Sequence, residues 1–235
     1  MNENNLPDLK FLEFGVTRKN ICNYLSNKIE QKIISDLTNF PEKHDKLAEV
    51  GFRRVENWIY KPSCPKCSKC LPIRIDCKNF IYKNKFLRII KKNISIERKV
   101  LKGLINDEHF QLFKNYLNVR HADGKMNDMS FNDFKNMIIN SPIKTFCYEY
   151  RDKEKLEGFV IVDCQRNALS AVYSFYNPCK RKNSYGTYII LDLIKLAREL
   201  NLDWLYLGYY IKETKSMSYK SIFSPYQLYR NGVWK

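Results

Sequence analysis

Between residues 108 and 210 the hydrophobic period changes in a set order, and that order constrains the fold more than any other feature of the chain. Glu108–Arg120 carries Phe110, Phe113, Tyr116 and Leu117, spaced three, three and one, which is a helical stripe. A Gly-containing loop over His121–Met129 leads to a second helix at Phe131–Ile139. Three strand-like runs follow at Thr145–Arg151, Leu156–Cys164 and Ala168–Tyr176. Tyr188–Leu200 then places Ile189, Leu193, Leu196 and Leu200 on one helix face, and Trp204–Tyr210 reads as a buried strand.

Two helices, three strands, a helix and a strand predict an α+β fold, with an acetyltransferase-like (GNAT-type) mixed sheet, flanking helices and a cleft where strands part. Upstream, a smaller cysteine-containing α/β region is expected. Phe11–Val16 reads as a strand, and Ile29–Phe40 fits helix or strand. Asp45–Val50 reads as a short helix stopped by Gly51, and Phe52–Tyr60 as a strand. Ile73, Ile75 and Cys77 alternate with Arg74, Asp76 and Lys78, as on a half-buried strand. Lys83–Lys92 reads as a basic helix and Ile94–Arg98 as a short strand. The character changes near Leu104–Asp107. The expected division is therefore a cysteine-containing basic domain over 1–105 and an acetyltransferase-like domain over 106–235.

Charge narrows the partner. Lys and Arg number 41 against 25 Asp and Glu, a net charge of +16, which favours a polyanion. The excess is concentrated, because residues 61–102 hold 13 basic and two acidic residues. Within that stretch Lys85, Arg88, Lys91 and Lys92 interleave with Tyr82 and Phe86. Positive charge binds phosphates and aromatic faces stack on unpaired bases, so these four are candidate nucleic-acid-binding residues; a solvated basic face is the alternative. Aromatic residues at 14% argue against a disordered chain. No apolar stretch approaches a membrane span, and MNENNLPDLK lacks a basic start followed by an apolar run. A cytoplasmic protein without a membrane partner is expected.

Eight cysteines in such a chain predict thiols, metal ligands or catalytic groups before disulfides. Three form Cys64-x2-Cys67-x2-Cys70, bounded by Pro62, Pro65 and Pro72. A closed zinc site wants four ligands, and Cys77 or Cys22 is the available fourth. Ferredoxin spacing requires a cysteine where Arg74 stands. A thiol-rich structural turn is favoured over zinc or an iron–sulfur cluster. Only three histidines occur, excluding a histidine-rich metal centre. Arg120-His121 closes a predicted helix and can bind an anion or move a proton. Ser184 is the expected N-cap of the last long helix. No G-x-S-x-G elbow, Walker loop or G-x-G-x-x-G is present, which removes the hydrolase, NTPase and dinucleotide readings.

Several fragments, in order and spacing, carry a resemblance. They are Cys22-Asn23-Tyr24-Leu25, Gly51-Phe52-Arg53-Arg54, Tyr60-x-Pro62-x-Cys64-x2-Cys67-x2-Cys70-x-Pro72-x-Arg74 and Arg120-His121. They continue through Leu169-Ser170-Ala171-Val172-Tyr173, Gly186-Thr187, Tyr206-Leu207-Gly208-Tyr209 and Tyr219-Lys220. Together they resemble the bacterial aspartate/glutamate leucyltransferases, a branch of the arginyl-tRNA–protein transferase family. Ser26 departs from a frequent proline, and Ser216 from a lysine.

The resemblance implies transfer of leucine from leucyl-tRNA to proteins beginning with Asp or Glu, marking them for degradation in the N-degron pathway. It implies no cofactor beyond the aminoacyl-tRNA donor. It places Arg74, Arg120 and Lys220 at the acceptor's acidic groups, makes Asp163 and His121 candidates for the proton, and lets Tyr173 bond the ester or adenosine. The alternatives are an arginyl transferase of the same family and a non-catalytic tRNA-binding protein. An acetyl-CoA enzyme should show a pyrophosphate loop that Lys180–Thr187 lacks.

Overall fold

The computed structural model describes residues 12–122 and 124–235. The N-terminal region comprises β1 (Gly15–Val16), β2 (Asn20–Ile21), β3 (Ile29–Glu30), β4 (Lys32–Asp36), α1 (His44–Glu49), β5 (Arg53–Val55) and β6 (Trp58–Pro62). There follow β7 (Leu71–Asp76), α2 (Asn84–Lys92), β8 (Ile96–Val100), α3 (Asp107–Arg120) and α4 (Phe131–Ile139). The rest is β9 (Thr145–Asp152), β10 (Lys155–Gln165), β11 (Ala168–Tyr176), α5 (Tyr185–Glu199), β12 (Trp204–Tyr210), α6 (Lys215–Ser218), β13 (Tyr226–Arg230) and β14 (Val233–Trp234). Phe11 of the expected first strand lies outside the described residues. The Ile29–Phe40 ambiguity resolves to strands.

An eight-stranded sheet in the order β14-β13-β7-β12-β11-β10-β9-β8 organises the molecule. This is the expected α+β acetyltransferase-like mixed sheet with flanking helices. β10 shows why the sheet is buried on both faces. Val160 and Val162 enter the cluster under α5, whereas Phe159 and Ile161 enter the cluster under α3 and α4. Capping boxes start the two upstream helices, Asn106 with His109 and Ser130 with Asp133.

The sheet runs straight across residue 105. β7 and β8 both precede that position, yet β7 pairs with β12 and β8 with β9. The composition change near 105 marks the loop into the α3 capping box. A domain cut there would strip the sheet of Ile73 and Ile75, both 0% exposed.

A separate antiparallel sheet, β1-β4-β6-β5, encloses Leu37, Leu47, Phe52 and Ile59. It docks on the main body through the Tyr209 hydroxyl, whose single proton is shared between the carbonyls of Gly51, 3.0 Å away, and Tyr60, 3.1 Å away. Gly51 has φ +94°, and a Cβ there would stand 2.9 Å from Pro72 Cγ. Neither the conformation nor the space admits a side chain.

Candidate active site

Among the described residues β11 and β12 are the one parallel pair of the large sheet, and their ladder holds three rungs, Ala168↔Trp204, Leu169↔Leu205 and Ser170↔Tyr206. Beyond Ser170 and Tyr206 the strands part. A cleft of about 810 Å³ opens there, walled by β11, β12, the start of α5, the end of α3, the Tyr219–Ile222 segment and the cysteine-containing region.

Four predicted site residues meet in this cleft: Arg120, His121, Tyr173 and Lys220. Arg120 ends α3, its guanidinium 5.9 Å from the Tyr176 ring centre. His121 is the C-cap, its ring against Tyr116. Partial burial and the Arg120 charge hold its imidazole below the usual histidine range, so it is neutral at pH 7 and free to accept a proton. Tyr173 is half-buried beside Phe113, and burial pushes its phenol up to about 12, leaving a neutral donor.

Lys220 is the buried cation of the cleft floor. Its Nζ donates to the Tyr209 carbonyl at 2.6 Å and lies 3.2 Å from Met217 Sδ. Burial, with help from the Arg53 charge, pushes the amine down to about 8. Gly208, at φ +76°, gives β12 the irregular turn that aims the Tyr209 carbonyl at this amine; a Cβ there would stand 4.0 Å from the ammonium, so backbone conformation and not space calls for glycine.

Two of the predicted catalytic and acceptor-binding residues lie elsewhere. Asp163 is 1% exposed and lines no part of the cleft. Its oxygens accept from Arg54 Nε at 2.8 Å, from Arg54 Nη2 at 2.5 Å and from the Thr145 hydroxyl at 2.7 Å. These bonds make it the buried counter-ion that ties the N-terminal region to β10 and leave it no access to a substrate amine. Arg74 lies in a second, smaller pocket of about 280 Å³. Its guanidinium carbon is 3.7 Å from the Trp204 ring centre and 4.4 Å from that of Trp234, and Nε and Nη2 both donate to Gln227 Oε1. β7 alternation turns Arg74 to the face away from Ile73 and Ile75, where aromatic rings satisfy it. It therefore does not reach an acceptor in the cleft.

Lys85, Arg88, Lys91 and Lys92 form an exposed basic face on α2. Phe86 anchors that helix by stacking on Phe223, three residues beyond Lys220. Asn93, 0% exposed, donates to the Asn183 carbonyl at 2.8 Å, beside the cleft residues Arg181 and Ser184. The basic helix is thus fastened to the margin of the cleft.

Cys22, Cys64 and Cys70 line one wall of the same cleft. Burial, and then the nearby Cys64, Cys22 and Cys67, push the Cys70 thiol up to about 12. Cys22 joins the three-cysteine turn, whereas Cys77 is sealed in the main core. Among the described residues no three His, Cys, Asp or Glu side chains stand in a geometry that holds a metal ion.

Sequence reasoning missed several lining groups. Lys180 enters the cleft held by the fully buried Glu157, whose Oε1 is 2.7 Å away and whose other oxygen accepts from Asn177 at 2.7 Å. No periodic signal marks this pairing. Ser184 precedes α5 as expected, but its side chain makes no capping bond, because the residue sits at φ 53°, ψ 45°. Gly186 has a spatial role, since a Cβ there would stand 2.8 Å from the Tyr176 ring.

The sequence matches the family model for Arginine-tRNA-protein transferase, C terminus, over residues 108–230, and that for the N terminus over residues 20–88. The chain belongs to the arginine-tRNA-protein transferase family. It is similar to an aspartate/glutamate leucyltransferase of Ruegeria pomeroyi, with 38% identity over 227 residues, covering 95% of this chain and 83% of the relative. A protein of the same name from Dinoroseobacter shibae is 36% identical over 236 residues, with the same two shares. Among solved structures, L-PGS from Bacillus licheniformis aligns over 84% of this chain and 66% of its own, at 12% identity and a TM-score of 0.50, a likeness of fold alone. No helix among the described residues is long and apolar enough to cross a membrane.

Proposed function

We propose that the protein transfers leucine from leucyl-tRNA to the α-amino group of proteins beginning with Asp or Glu, and so marks them for degradation. The observation that carries this reading is the convergence of Arg120, His121, Tyr173 and Lys220, scattered through the family motifs, in the one cleft where β11 and β12 part.

The donor is an aminoacyl ester and brings its own activation, so no nucleotide cofactor is needed. The acceptor nitrogen attacks the ester carbonyl carbon, the new C–N bond forms, and the C–O bond to the terminal ribose breaks. One amine proton leaves the nitrogen and one proton ends on the ribose oxygen, so the net change is ester plus amine to amide plus alcohol. His121, neutral at working pH, accepts the amine proton. Tyr173 donates a hydrogen bond to the ester oxygen as charge develops there. The remaining acceleration comes from holding amine and ester together.

Arg120 suits the acceptor's acidic side chain. Lys180 is already held by Glu157 and Asp152, and Lys220 by a carbonyl, whereas Arg120 has no carboxylate within salt-bridge reach among the described residues. The basic face of α2 suits the tRNA phosphates. The test is transfer of radiolabelled leucine, against arginine, from charged tRNA to peptides beginning with Asp, Glu, Asn or Gln. Leucine on the acidic peptides supports the reading; binding of tRNA with no peptide modified overturns it.

A further inference from the structure

We infer that the crevice between the parting strands β11 and β12, walled by Ala171, Leu207 and Ile190, holds the side chain of the transferred amino acid and selects leucine. This deepens the reading above and rests on it.

Sheet register places the crevice. Ser170↔Tyr206 is the last rung of the parallel ladder, so Ala171 and Leu207 are the first residues on the two strands after they separate. Both line the cleft, and both pack with the apolar cluster under α5. Ile190 of α5 lines the same cleft and belongs to the same cluster. Three apolar side chains thus converge where the strands separate, whereas the rest of the lining carries Arg120, Lys180, Arg181, Lys215 and the buried Lys220. Ile222, an exposed apolar side chain at 37%, adds apolar surface to the lining.

Charge supplies the second argument. Among the described residues Glu30 is the only carboxylate lining the cleft. It belongs to β3 of the N-terminal region and stands 3.7 Å from the Lys32 amine. A guanidinium pushed into the crevice would lose its water and find no acid, in a cleft already crowded with cations. An isobutyl group loses nothing there and gains burial. Each buried methylene is worth about fourfold in binding, so leucine exceeds alanine by roughly 50-fold if three carbons are buried.

The test keeps the tRNA body constant. A leucine tRNA is charged with leucine, alanine or phenylalanine, and kcat/KM is measured with an Asp-starting peptide. The wild type should prefer leucine to alanine by roughly 50-fold. Ala171→Leu fills the crevice and should bring that ratio below about 5. Ile190→Ala deepens it and should raise phenylalanine relative to leucine by about tenfold or more. The two variants alter separate elements in opposite directions, so misfolding of one leaves the other decisive. Wild-type leucine transfer with unchanged ratios in a folded variant overturns this inference alone. A wild type that transfers no leucine overturns the functional reading and the inference together.

Discussion

Arg54 and Asp163, 109 residues apart, form a two-pronged ion pair, Nη2 to Oδ1 at 2.5 Å and Nε to Oδ2 at 2.8 Å, with both side chains almost wholly out of water. The pair joins the hairpin of the N-terminal region to the longest strand of the large sheet. His44 Nε2 stands 3.9 Å from the same carboxylate, so α1 is drawn into the junction.

Asp163→Ala should therefore act on stability, because it leaves the Arg54 guanidinium buried without a counter-ion, a loss of about 3–5 kcal/mol. Activity should fall only where the folded fraction falls. Arg54→Met with Asp163→Leu should be milder than the sum of the single changes, since no charge is then stranded. Urea unfolding of the singles and the double checks this. A fully stable, inactive Asp163→Asn protein would return Asp163 to the reaction.

Acidic selectivity should follow Arg120. Arg120→Ala should weaken discrimination of Asp- over Asn-starting peptides by roughly 2 kcal/mol or more, with Arg120→Lys keeping part of it. Arg74→Ala should leave that discrimination unchanged and lower the melting temperature instead, because it removes the cation between Trp204 and Trp234. Matched peptides differing in the first residue, together with thermal melts, separate the two roles.

Lys91→Ala with Lys92→Ala should raise the apparent KM for charged tRNA and flatten its salt dependence by up to about two units of slope. The acceptor KM should stay put, because α2 is fastened beside the cleft and lines none of it. A salt titration of tRNA binding is the measurement. An unaltered slope would reduce this helix to a solvated face.

Lys220 should cost stability at neutral pH. Its amine titrates near 8 in the fold against 10.5 in the unfolded chain. Below pH 8 the penalty of burying the ammonium is complete, on the order of 3 kcal/mol. Between pH 8 and 10.5 the unfolded chain holds a proton that the fold has released, so stability rises with pH across that window. Lys220→Met should remove this rise and be at least as stable as the wild type at pH 7. Unfolding at pH 7, 8.5 and 9.5, compared pairwise with the wild type, tests the sign. A variant much less stable at pH 7 would show that the Tyr209 carbonyl bond outweighs desolvation.

The linear pattern of the chain was enough to read those features that depend on neighbours two to four residues away. The α3 stripe, the α4 helix ending at Ile139, the three central strands and the exposed basic face of α2 all follow from local periodicity. The motif order also sufficed for the family, since each fragment keeps its type and spacing whatever its surroundings. Partnership across the fold was decided only by tertiary structure. β7 stands far ahead of β12 in sequence, and nothing local says that it fills the sheet beside that strand. Arg74 and Asp163 are a cation and an acid at promising motif positions, yet register turned one between two tryptophans and folding gave the other to Arg54. A charge in sequence is only a demand for a partner, and whether a substrate or the protein meets that demand depends on non-local packing. The cleft itself is such a product: it exists because the β11–β12 ladder stops after three rungs.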